Sequence, residues 1–232
     1  MIQNPSGLPT QVGATTATDT SQRFLTHAFG WMFAGLLLTA GVATVVQSSE
    51  TLTNFALQNF LILILAQLGL VIAISAGISR LNATAALGLF FAYAASLGLT
   101  VGLIVQAYTG ESVAVAFLSA SAMFGGAAAY GALTHRNLAG LGGILIMGLI
   151  GVIVASVVNL FLQSSTVSWI ISIAGVVIFT ALTAFDVQRI QSGVLARATG
   201  SVEKAAVLGA LQLYLDFINL FLFLLRLMGS RR

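Results

Sequence analysis

The chain has 232 residues, of which 58% are hydrophobic and only 6% charged. A water-soluble domain carries about 25% charged residues, so this composition excludes a soluble globular protein. Nine Lys plus Arg against six Asp plus Glu leave too little positive charge for a nucleic-acid surface, and the absence of cysteine removes disulfides and thiolate chemistry.

Residues 1–22 are polar, rich in Thr and Ser, and hold no basic residue before Arg23. A secretory signal needs basic residues followed directly by an apolar stretch, so this segment is expected to be a disordered, uncleaved tail. A single membrane domain over residues 23–232 follows it. Apolar runs fall at 25–46, 60–79, 83–106, 112–133, 138–162, 167–191 and 205–226. Each has the length of a membrane helix, about 20 residues, whereas a membrane barrel would show alternating strands of about ten. The expected fold is therefore an all-α polytopic membrane protein with seven transmembrane helices. Pairs of small residues within the spans, such as Gly98 and Gly102 or Gly148 and Gly151, read as places where helix backbones approach closely.

Charge placement orients the spans. With a cytoplasmic N-terminus, one side holds Arg23, Arg80, Arg136, Arg189, Arg197 and Lys204, while the opposite connections hold only Glu50 and Glu111. That asymmetry follows the positive-inside tendency. Arg226, Arg231 and Arg232 depart from it, because a full crossing by the seventh span puts them on the far side. A full crossing is nevertheless the expectation.

Two acids lie inside spans, where even a lenient insertion scale charges about 2.5–3.5 kcal/mol. Asp186 stands near the end of the sixth and Asp216 well within the seventh. Gln212, Asp216 and Asn219 occur at i, i+4 and i+7 and share one helix face. Such a stripe faces a bundle interior or an aqueous cavity. The sixth and seventh spans are consecutive and antiparallel, so the two carboxyls can approach each other. Two carboxyls in a low dielectric do not both ionise cheaply, and a pair sharing a proton becomes a pH-responsive element. Arg80 lies on the same membrane side as Asp186 and is a plausible counter-charge. A plainer reading stands beside this one: Asp186 pairs with Arg189 at i+3, and Asp216 is a protonated structural residue.

Enzymatic readings find little support, and the chain is expected not to be an enzyme. Intramembrane aspartyl proteases also place one aspartate on each of two neighbouring helices, but the glycines of their Gly-x-Gly-Asp pattern are missing around Asp186 and Asp216. The one lysine, Lys204, sits beside a loop, where a retinal Schiff base would need a lysine within the bundle. His27 and His135 lie near span ends, and no H-E-x-x-H occurs. Ser192-Gly193 lacks the first glycine of a nucleophile elbow.

The stretches Phe185-Asp186-Val187-Gln188-Arg189-Ile190 and Leu213-Tyr214-Leu215-Asp216-Phe217-Ile218-Asn219-Leu220-Phe221 resemble the Bax inhibitor (transmembrane Bax inhibitor motif) family in its bacterial branch. The second stretch is the more specific. The resemblance runs over nearly the whole chain after the tail, including Arg80 and Gly98-Leu99-Thr100. It implies two three-helix layers around a central C-terminal helix, in a protein of the bacterial inner membrane. It also implies a pH-dependent calcium leak, with Asp186 and Asp216 as a hydrogen-bonded pair and Arg80 as their basic partner. No cofactor is expected; calcium would be the transported ion, visiting Asp186 and Asp216 transiently, with Gln212 and Asn219 along its path. The alternative is a membrane-embedded regulator of another membrane protein, such as a quality-control protease, without ion conduction. The second span is free of acidic residues and offers only Gln67, so any carboxylate used there by a relative has no counterpart.

Overall fold

The computed structural model describes the backbone of residues 12–231 and the side chains of residues 24–231. Of the expected tail, residues 1–11 lie outside the described residues, and α1 is traced from Val12 to Ser48. There follow α2 (Glu50–Gln58), α3 (Phe60–Gly77), α4 (Ala83–Gln106) and α5 (Gly110–Leu133). A 3-10 turn over Ala139–Leu141 leads into α6 (Gly142–Leu162), and then come α7 (Ser165–Gln191), α8 (Val194–Thr199) and α9 (Val202–Met228).

Among the described residues seven helices are long and apolar enough to cross a membrane: Phe24–Ser48, Phe60–Gly77, Ala83–Gln106, Gly110–Leu133, Ala139–Leu162, Ser165–Gln191 and Val202–Met228. All seven expected spans are present, with ends moved by at most a few residues. The shifts have a local cause, because polar residues just outside the apolar runs cap the helices. Asn82, Thr109, Ser164 and Ser201 each accept a hydrogen bond from a backbone N–H of the first turn of α4, α5, α7 and α9. Helices α2 and α8 were not expected. At nine and six residues they are too short to cross, and hydropathy alone gives such segments no signal.

Helix α9 occupies the centre. Two-thirds of its most apolar window, 67%, is buried, against 6% for α6 and 11% for α3. It packs on α1, α4, α5, α7 and α8, whereas α3 packs chiefly on α4, and α6 on α7. Helices α3 and α6 therefore leave a gap between them, lined by both.

Glycines set the closest approaches. Parallel helices α1 and α4 meet where Gly98 faces Val42 and Gly102 faces Val46; a methyl group on Gly98 would come within 2.9 Å of the Thr39 carbonyl oxygen. On Gly131 of α5 a methyl group would overlap the Ala184 carbonyl of α7. In lipid, where apolar surface gains little by leaving the solvent, such backbone proximity holds helices together.

Helix α9 crosses completely. Near its start, the Lys204 ammonium donates to the Ser79 carbonyl in the α3–α4 connection. Past its end, the Thr109 N–H donates to the Ser230 carbonyl and the Ser230 N–H to Ser112 Oγ, both in the α4–α5 region. The two ends are called here the Arg136 end and the Ser230 end. Arg226 and Arg231 accordingly lie away from Arg80, Arg136, Arg189, Arg197 and Lys204.

Candidate functional site

The central helix presents two unlike faces. Tyr214, fully buried, shares a hydrogen bond with Thr39 of α1, and the Thr39 hydroxyl also donates to the Ala94 carbonyl of α4 at 2.9 Å. Phe90 and Tyr93 close around the Tyr214 ring edge to face, at 5.5 and 5.8 Å. Two residues further on, about 200° around the helix, Asp216 points the other way.

That second face floors a cavity of about 660 Å³. Asp186, Arg189, Gln212, Asp216 and Asn219 supply much of its polar lining, and Leu68, Ile146, Leu149 and Ile153 of α3 and α6 much of its apolar wall. Gly209 meets Ile190, and Gly175 meets Phe223, which fixes the antiparallel register of α7 and α9. On that register Asp186 stands level with Gln212 and Leu213, and Asp216 sits about one turn, roughly 5 Å, further in.

Both acids are buried, Asp186 at 7% exposure and Asp216 at 4%, within electrostatic range of each other. Asp216 Oδ2 and Gln212 Oε1 are fully enclosed and have no hydrogen-bond partner among the described residues. Buried acceptors left bare are expensive, on the order of 1–3 kcal/mol each, and these two stand one turn apart on the same face of α9. Asn219 differs: its amide N–H donates to the Leu215 carbonyl at 2.8 Å, leaving its oxygen for the cavity.

The two candidate counter-charges are placed differently. Arg80 is exposed beyond the end of α3 and does not line the cavity. Arg189 is half-buried and does. Gln188 explains why this end of α7 is held so firmly: its amide accepts from the Leu138 N–H and donates to the Arg136 carbonyl, both at 2.8 Å.

The sequence reading left Tyr93 unremarked and gave no role to Gln67, yet both line the cavity. Gln67 donates to Thr100 Oγ1 at 2.8 Å and to the Ser96 carbonyl at 3.0 Å, bracing α3 on α4. A lone amide in an otherwise apolar span was the available signal. Tyr93 had none, since an aromatic residue inside a membrane helix reads as packing. Among the described residues no group of three or more His, Asp or Glu could hold a metal ion. His27 and His135 are both exposed.

Comparison with known proteins gives a consistent result. The family described as inhibitor of apoptosis-promoting Bax1 matches residues 21–232. The inner membrane protein YbhL of Escherichia coli (strain K12) is 44% identical over 217 residues, covering 91% of this chain and 93% of its own. A protein of Borreliella burgdorferi is 43% identical, covering 90% of this chain and 93% of its own. RP147 of Rickettsia prowazekii is 37% identical over the full length of both chains.

Proposed function

Because the chain belongs to the Bax inhibitor family of membrane proteins, we propose that it is a calcium leak path whose conductance responds to pH through Asp186 and Asp216. The observation that supports this most directly is the setting of the acid pair. Both carboxyls line one cavity, and beside them Gln212 Oε1 and Asp216 Oδ2 lack any donor. With a shared proton the pair carries one negative charge instead of two, and its helices pack closely. Without it, two negative charges in a low dielectric repel each other or draw in a cation. Two carboxylates with the amide oxygens of Gln212 and Asn219 fall short of the six to eight oxygens that hold calcium tightly. Such a site suits passage better than storage.

Arg189 is the counter-charge on this reading. It lies on the same helix as Asp186, one turn on, and shares the cavity, whereas Arg80 stands outside it. The inner membrane of bacteria is the proposed location, in keeping with the name of YbhL. The Arg136 end faces the cytoplasm on the positive-inside tendency, which puts the N-terminus there as well.

The test is calcium flux through the purified chain in liposomes, on either side of neutral pH. Asparagine mimics a protonated aspartate in shape and charge. Asp186→Asn and Asp216→Asn are therefore expected to flatten the pH profile and to hold flux at the wild-type value of the acidic side. An unaltered profile in both variants would remove the acid pair from the mechanism.

A further inference from the structure

The connections at the Ser230 end carry no Lys or Arg of their own, yet Arg226 and Arg231 lie there, against the usual charge bias. The acid pair makes no use of them. Both line a second cavity of about 800 Å³ where α6, α7 and the end of α9 meet. Its remaining polar lining consists of hydroxyls and amides, among them Asn159, Gln163, Ser165 and Ser168, with no Asp or Glu. Among the described residues every charged group on this wall is therefore positive.

The arginines are also held in place. The Arg226 guanidinium lies 5.9 Å over the Phe223 ring. Arg231 forms a β-bridge with Tyr108, next to the Thr109–Ser230 and Ser230–Ser112 hydrogen bonds at 3.1 and 2.9 Å. A strap anchored at three points carries one of the two cations to the cavity.

The apolar part of the lining fixes what kind of anion fits. Trp169, 57% exposed, lies near the start of α7, and span ends are where aromatic rings gather at lipid headgroups. Val157 and Leu160 of α6 line the same cavity and are 51% and 72% exposed. A cationic, donor-rich lining thus stands beside exposed apolar side chains in one cavity. That pairing is what the headgroup and acyl chain of a phospholipid require. We propose that this vestibule binds an anionic phospholipid, with its phosphodiester against Arg226 and Arg231 and an acyl chain along Val157 and Leu160. Guanidinium groups match phosphate oxygens in pairs, and the serine hydroxyls supply further donors.

The site has a bearing on conduction without depending on it. Ser156 and Val157 line both cavities, so the vestibule adjoins the chamber of the acid pair. A bound anionic headgroup, with one negative charge, would offset one of the two positive charges that a cation meets at that end.

The chain has two tryptophans, so Trp31→Phe leaves Trp169 as a local reporter of lipid contact. Its fluorescence is measured in vesicles mixing phosphatidylglycerol and phosphatidylcholine, with bromine on the acyl chains of one or the other. Quenching is expected to reveal a preference for phosphatidylglycerol of roughly fivefold per arginine. The preference should vanish in Arg226→Gln/Arg231→Gln, survive in Arg226→Lys/Arg231→Lys, and be untouched by Arg136→Gln. If the double glutamine variant loses its cooperative melting transition, Arg231→Gln alone carries the test, with a roughly fivefold loss expected. Equal quenching by the two lipids in the parent overturns the proposal, and so does an equal loss in Arg136→Gln. Displacement by inorganic phosphate beyond that by chloride of the same ionic strength would make this a phosphate site and overturn it too.

Discussion

At the scale of single residues, the environment of each polar group decides its role more than its chemical type. Asp216 and Tyr214 are two positions apart on one helix, yet the tyrosine hydroxyl is tied to Thr39 while an oxygen of the aspartate has no partner. The helical spacing of Gln212, Asp216 and Asn219 made this face legible in the sequence, because three polar residues on one stripe of an apolar helix require an interior. The counter-charge was not legible in the same way. Span ends place Arg80 and Arg189 on the same side of the membrane, and only the register of α7 against α9 brings Arg189 to the cavity. Arg189→Gln is accordingly expected to shift the pH midpoint of calcium flux, whereas Arg80→Ala leaves it unchanged. Liposome flux profiles of the two variants check this, and the reverse pattern would return the role to Arg80.

At the scale of elements, the apolar runs gave all seven spans, since twenty-odd apolar residues have few other uses. They gave neither α2 nor α8, whose short, mixed sequences carry no comparable signal. Helix contacts were only partly legible: glycine pairs announce close packing but not the partner. Gly98 proved to face Val42 of α1, and the unpaired Gly131 turned out to make the tighter approach, against the Ala184 backbone. Carbonyl groups of a helix do not yield as flexible side chains do. Gly131→Ala is expected to lower stability by about 1–3 kcal/mol, seen as a reduced melting temperature in detergent. Gly125→Ala is the control, because a methyl group there meets nothing within 4 Å, and its melting temperature should stay at the parent value.

At the scale of the whole molecule, two cavities lie one after the other along α6 and share the wall made by Ser156 and Val157. Such continuity depends on how helices distant in sequence are arranged around α9, so no local pattern foretells it. It can be probed because the chain has no cysteine of its own. A water-soluble thiol reagent applied to Ser156→Cys in liposomes is expected to cut calcium flux several-fold. The same treatment of Leu133→Cys, which is 76% exposed on the outer surface of α5, should leave flux intact. Complete labelling at position 156 without loss of flux would separate the two chambers. The anchoring of Tyr214 also limits how this assembly can move. One flank of α9 is pinned to α1 and α4 through Tyr214, so on the proposed reading the deeper carboxylate is the stator. Any separation of the pair then falls to the helix that carries its neighbour.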